Sequence, residues 1–319
     1  MCPRRRSPTL TPRELGEQIL RTASLPDAVA TACQDALSRH GRLFSPVPVW
    51  SRTFLAWIDA VAEAPRDLFL PAAVACECMA AGYDLLDAAA PGEPDPCTEA
   101  ASDALLRLSQ DLLLDVRVPA DCRLRAVAAL RRAGGYALAA QRQDIALRSV
   151  RTASPDVLGI LQQRSGTLVA ATCQCAALLT GAHWRTVVLA GRFGMVLGCA
   201  AQLEDDLADL ADDAASGRKT LPVLVAHQMD HDAPEMVAAT TWVVVQQYLH
   251  GAGEALRRLP QSARTEALWM LLPADLRATW PSGPPVPAAW SCSPPSPPPC
   301  GHRAIRASPS HGGPPVELQ

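Results

Sequence analysis

The strongest chemical signal in this 319-residue chain is the run Gln202-Leu-Glu-Asp-Asp-Leu-Ala-Asp209. On an α-helix, positions three, four and seven apart share a face. Gln202, Asp205, Asp206 and Asp209 therefore form one stripe, about 10 Å long at ~1.5 Å per residue. Carboxylates stacked in this way repel one another unless a cation joins them. A hard divalent ion such as Mg2+ takes oxygen ligands and keeps waters and substrate phosphates in its remaining positions. A solvated acidic helix end is the competing reading. Residues 187–201 are almost wholly apolar, however, so the stripe emerges from a helix that must be buried. Ten residues after Asp209 comes Lys219-Thr-Leu-Pro222, which holds the only lysine among 29 basic residues.

The elements that must position this stripe are helices. Hydrophobic residues make up 49% of the chain and aromatics only 4%, so the apolar content is mostly Ala, Leu and Val. That mixture favours helix over sheet. Apolar periodicity predicts helices over 12–24, 26–40, 50–63, 67–90, 98–115, 120–149, 154–182, 184–213, 220–228, 234–258 and 262–272. Strand-like alternation is nearly absent, and the expected class is all-α. Of 29 prolines, 12 follow Trp280. The chain thus divides into a helical body over 1–275 and a Pro-rich tail over 276–319, which is expected to be disordered.

A formal net charge of −3 without a basic stripe excludes a nucleic-acid binder, which needs a clustered phosphate-neutralising surface. The basic start, Met1 to Pro8, is followed by no apolar run, so no secretory signal is expected. An uncharged, largely apolar run, 165–184, could cross a bilayer by length. It contains Ser165, Thr167, Thr172, Gln174, Thr180 and His183 and has Arg164 and Arg185 at its ends, so it reads as a buried helix and no transmembrane span is expected. The eleven cysteines include Cys76/Cys78 and Cys173/Cys175, which lack zinc spacing. Reduced thiols in a cytoplasmic protein are the expectation.

With its sequel at Lys219-Thr-Leu-Pro222, the acidic run resembles the second aspartate-rich motif of the trans-isoprenyl diphosphate synthase (polyprenyl synthetase) family, QxxDDxxD followed by a short loop and K-T-L-P. Gln163-Arg-Ser-Gly-Thr-Leu resembles that family's K-T-G-x-L-F helix start, with Arg164 in the lysine position, and Ala140-Gln-Arg-Gln-Asp144 is similar to its GQxxD element. The four pieces agree in order and spacing across 140–222. The resemblance implies an isoprenoid-synthase-type helical bundle around a central cavity. In that cavity about three Mg2+ ions would hold the diphosphate of an allylic isoprenoid substrate. Ionisation would leave a carbocation for isopentenyl diphosphate to attack. Metal ligands would be Asp84, Asp87, Asp205, Asp206 and Asp209. Arg164, Gln202, Lys219 and Thr220 would bind substrate, and Asp205, Asp206 and Lys219 would serve catalysis. A homodimer, or a heteromer with another prenyl synthase, is implied as well.

The chain departs from the family pattern where the first aspartate motif is expected. It reads Glu77-Cys-Met-Ala-Ala-Gly-Tyr-Asp-Leu-Leu-Asp87, in which Asp84 and Asp87 share a face but Ala88 and Pro91 carry no carboxylate. Glu93 and Asp95 are the nearby substitutes. Ala80 stands where the family has a histidine, 91–101 contains no arginine, and only Arg42 and Arg52 are available for the upstream basic element. This departure leaves three readings beside chain elongation. One is terpene cyclisation, in which a single diphosphate is bound. Another is an acceptor other than isopentenyl diphosphate, and the third is a non-catalytic subunit that modulates an active synthase.

Overall fold

The computed structural model describes residues 10–62, 64–88, 95–148, 156–229, 234–259 and 265–272. Thirteen α-helices follow one another within them: α1 Pro12–Thr22, α2 Asp27–Ser38, α3 Val49–Val61, α4 Leu70–Ala88, α5 Pro96–Leu114, α6 Ala120–Arg148, α7 Val157–Leu161, α8 Thr167–Leu179, α9 Trp184–Ala208, α10 Leu210–Ala215, α11 Leu221–Gln228, α12 Pro234–Arg257 and α13 Glu266–Trp269. No strand occurs among the described residues, so the all-α expectation holds. The Pro-rich tail, Glu93 and Pro91 lie outside them.

Local chemistry sets the helix ends. Thr11 and Glu14 form a reciprocal capping box at α1, with the Glu14 amide donating to Thr11 Oγ1 at 3.2 Å and the Thr11 amide donating to Glu14 Oε2 at 2.7 Å. Asp95 accepts from the amides of Cys97 and Thr98 and starts α5, with Pro96 in its first turn. Asp95 therefore serves as a helix cap. Gly181, at φ +68°, ends the α8 segment in the left-handed region that glycine enters without strain.

The main core cluster is dominated by α3, α4, α8 and α9, and a small second one joins Val225 and Ala226 of α11 to Val237 of α12. Small residues let the central helices approach. A Cβ on Gly194 of α9 would lie 2.5 Å from the Val169 carbonyl oxygen and 2.7 Å from Ala170 Cα on α8. One on Gly198 would lie 3.0 Å from the Ser165 carbonyl oxygen. Trp57 of α3 meets Phe193 of α9 edge-on at 5.6 Å between ring centroids. Two segments, 66–87 and 184–208, are long and apolar enough to cross a membrane. Their apolar stretches are 78% and 50% buried inside the body. The uncharged run 165–184 forms α8 with its flanking turns and is mostly buried.

Two expected helices are interrupted, and both interruptions fall at the acidic stripe or beside it. The segment predicted over 154–182 begins at Val157 and passes through a π-turn, Gln162–Gly166, before α8. The segment predicted over 184–213 breaks at Asp209, where ψ moves to 10°. The negative end of the helix macrodipole meets Asp205, Asp206 and Asp209 there, an arrangement that disfavours continued helix.

Candidate functional site

Six of the nine predicted site residues, all but Asp206, Lys219 and Thr220, come together at one cavity of about 370 Å3. The last turn of α4 supplies Asp84 and Asp87, α6 supplies Gln141, the π-turn supplies Arg164 and Ser165, and the end of α9 supplies Gln202, Asp205 and Asp209. The cavity is also lined by Arg42, from the segment between α2 and α3, by Arg218, from the segment before α11, and by Tyr83, Ala137, Leu168 and Ala208. Sequence reasoning missed Arg218 and gave Arg42 only a place in the upstream basic element. The available signals were the position of Arg218 beside Lys219 and of Arg42 at the end of a predicted helix.

The π-turn is what presents Arg164. An i→i+5 turn inserts one extra residue and rotates the side chains that follow. Here the Thr167 amide reaches back to the Gln162 carbonyl. Gly166 permits this, because a Cβ there would lie 2.5 Å from Met195 Sδ and 2.9 Å from Cys199 Sγ of α9. The next side chains are ordered by a short relay. Ser165 Oγ donates to Gln202 Oε1 at 2.8 Å, and Gln202 Nε2 donates to Asp206 Oδ1 at 2.9 Å. Gln141 Nε2 donates to the Leu86 carbonyl at 2.8 Å, satisfying an acceptor in the last turn of α4.

The three aspartates of the acidic stripe do not share one environment. Asp205 and Asp209 line the large cavity. Desolvation there, with Asp209 close by, holds the Asp205 carboxyl above its usual range. Asp206 is buried against Gln202, and burial pushes it up to about 6 against the pull of that hydrogen bond and of Arg164. Asp206, Lys219 and Thr220 instead line a second cavity of about 30 Å3, about the volume of one water. Ser165 and Gln202 line both cavities and stand between them. Lys219 and Thr220, expected to contact substrate, thus do not line the large cavity.

Asp84 and Asp87 are held by arginines. Arg42 Nε donates to Asp84 Oδ2 at 2.8 Å, and its Nη2 bonds the same oxygen. The Arg42 guanidinium also lies 5.6 Å from the Trp50 ring centroid. Asp87 Oδ2 accepts from Arg164 Nη2 at 2.5 Å and from Arg218 Nη2 at 3.3 Å. Arg218 Nη1 reaches buried Asp213 at 3.3 Å, and Asp144 of the GQxxD-like element lies 3.1 Å from Arg148 and 3.9 Å from Arg164.

These donor sets differ in their fitness for Mg2+. Asp205 and Asp209 offer free-standing carboxylate oxygens one helical turn apart, which suits a hard divalent ion. Asp84 and Asp87 suit it less, because each already accepts two guanidinium hydrogen bonds through its Oδ2 and has positive charge beside it. Among the described residues no group of three or more His, Cys, Asp or Glu is arranged to hold a metal ion.

Residues 98–239 match the family model described as polyprenyl synthetase. No curated protein sequence matches the chain. Among solved structures, the chain is similar to geranylgeranyl pyrophosphate synthetases from the archaeon Geoglobus acetivorans (18% identity, TM-score 0.69, covering 82% of this chain and 94% of that one) and from Pyrococcus horikoshii (16%, 0.68, 82% and 93%). It is also similar to the heptaprenyl diphosphate synthase of Staphylococcus aureus (15%, 0.66, 82% and 97%). At these identities the likeness is one of fold, the helical isoprenoid synthase fold.

Proposed function

We propose that this chain is a divergent member of the trans-isoprenyl diphosphate synthase (polyprenyl synthetase) family and that it acts on an allylic isoprenoid diphosphate by ionising its C–O bond and releasing pyrophosphate. Family and fold together support a prenyltransferase-like function. One observation carries the finer reading: two α9 carboxylates and three guanidinium groups from separate segments converge on one cavity that also has Ala137, Leu168 and Ala208 in its wall.

Breaking an allylic C–O bond leaves negative charge on the departing diphosphate and positive charge on the hydrocarbon. The first needs fixed cationic partners already in place. Arg42, Arg164 and Arg218 are such partners, oriented by their carboxylates before substrate arrives. The second needs a wall without nucleophilic water, to which Ala137, Leu168 and Ala208 would contribute. The relay from Ser165 through Gln202 to Asp206 holds the end of α9, so that Asp205 and Asp209 face the cavity. These are the two residues that would hold Mg2+, which supplies neutralising charge for the leaving diphosphate when bound.

The test is turnover by the double variant Asp205→Asn plus Asp209→Asn. The expected result is a loss of pyrophosphate release of at least about 100-fold, the scale of removing a transition-state charge partner, with the far-UV circular dichroism unchanged. Retention of wild-type turnover by this variant would remove the α9 carboxylates from the chemistry.

A further inference from the structure

The α4 side of the cavity is built for an anion. Asp84 and Asp87 stand where a pair of metal-binding carboxylates was expected, yet each is bonded by guanidinium groups, three in all, that arrive from three distant segments. Arg42 uses its Nε and Nη2 on Asp84. Arg164 uses Nη2 on Asp87, and Arg218 divides its two Nη groups between Asp87 and Asp213. A guanidinium has five N–H donors in a planar fork, so each arginine keeps donors beyond those bonds, and all three line the cavity. Their side chains are only 16%, 18% and 23% exposed, so water screens them weakly. A divalent cation at Asp84 and Asp87 would have to compete with these guanidinium groups for both Oδ2 atoms and sit beside their positive charge.

We propose that Arg42, Arg164 and Arg218 form a metal-independent diphosphate subsite, binding phosphate oxygens directly where Asp84 and Asp87 were expected to work through Mg2+. The two aspartates are positioning residues: they hold the guanidinium forks in place and share their charge with the incoming anion. Arginine suits this task because its planar fork matches phosphate oxygens in pairs. Metal is then confined to the α9 side. The inference rests on the reading of the ligand as a diphosphate.

The experiment is calorimetric titration of the full chain with inorganic pyrophosphate, in EDTA and in Mg2+. The expected result is saturable binding in EDTA, weaker than in Mg2+ by less than about 100-fold. Arg42→Gln and Arg218→Gln should each weaken the EDTA binding by at least about tenfold, as expected for loss of a charge-assisted contact. Asp84→Asn plus Asp87→Asn should leave binding in Mg2+ within about threefold of wild type or strengthen it. Binding in EDTA weaker by more than about 100-fold, or loss of Mg2+-supported binding in the double aspartate variant, overturns the proposal and leaves the prenyltransferase reading intact. Absence of pyrophosphate binding under both conditions overturns both. If an arginine variant loses its far-UV signal, the wild-type comparison of EDTA with Mg2+ decides alone.

Discussion

At the scale of single residues, side chains adjacent in sequence are divided by their surroundings into different tasks. Asp205 and Asp206 are neighbours, yet one faces the large cavity and the other is bonded to Gln202 in a buried position. Glu77 gives the clearest residue-level test outside the cavity. It is fully buried on α4, and its Oε1 accepts from both the amide and the hydroxyl of Ser51 at 2.7 Å. Its Oε2 has no hydrogen-bond partner. Burial pushes its carboxyl up to about 7, against the Ser51 bonds and the nearby Arg42 charge. An acid whose pKa rises on folding costs nothing below its unfolded value, where both states are protonated. The cost grows as pH rises from the unfolded value towards the folded one and levels off above it, where both states are ionised. Glu77→Gln keeps the Ser51 acceptor and cannot ionise. Its stability relative to wild type should therefore increase between pH 5 and pH 8, by up to about 3 kcal/mol. Denaturant unfolding at both pH values measures this, and a difference independent of pH would contradict it.

At the scale of elements, the site depends on how closely α9 lies against α8 and the π-turn. Gly194 and Gly198 have no room for a side chain, because backbone atoms of the neighbouring segment stand in the way. Gly194→Ala should destabilise the chain by about 1–3 kcal/mol, since helix backbones must separate to admit the methyl group. Gly135→Ala is the matched control. It lies on α6 with nothing within 4 Å of the added Cβ, and alanine there should stabilise by about 0.5–1 kcal/mol through helix propensity alone. Urea midpoints read both, and equal shifts for the two variants would remove the close-approach account. Helix existence was legible in the apolar periodicity, because burial of one face is a local pattern. The π-turn was not, since its cause lies in tertiary packing of Gly166 against Met195 and Cys199.

At the scale of the whole molecule, the legible and illegible parts of the site separate by sequence distance. The α9 stripe, the arginine at 164 and the GQxxD-like element could be read because each is a short local pattern. The pairing of Asp84 with Arg42 spans 42 residues, and those of Asp87 with Arg164 and Arg218 span 77 and 131. No local spacing announces such pairs. The sequence therefore showed a first motif short of carboxylates and could not show that arginines had taken the remaining ones. The similar folds include geranylgeranyl and heptaprenyl synthases, so shared architecture does not select a product length. Ionisation of an allylic diphosphate in this cavity is the activity we propose. Pyrophosphate release by the full chain with Mg2+ and geranyl, farnesyl or geranylgeranyl diphosphate, with and without isopentenyl diphosphate, tests it most directly. Sustained release from at least one of them is the predicted result, and no release from any of the three, under either condition, would contradict it.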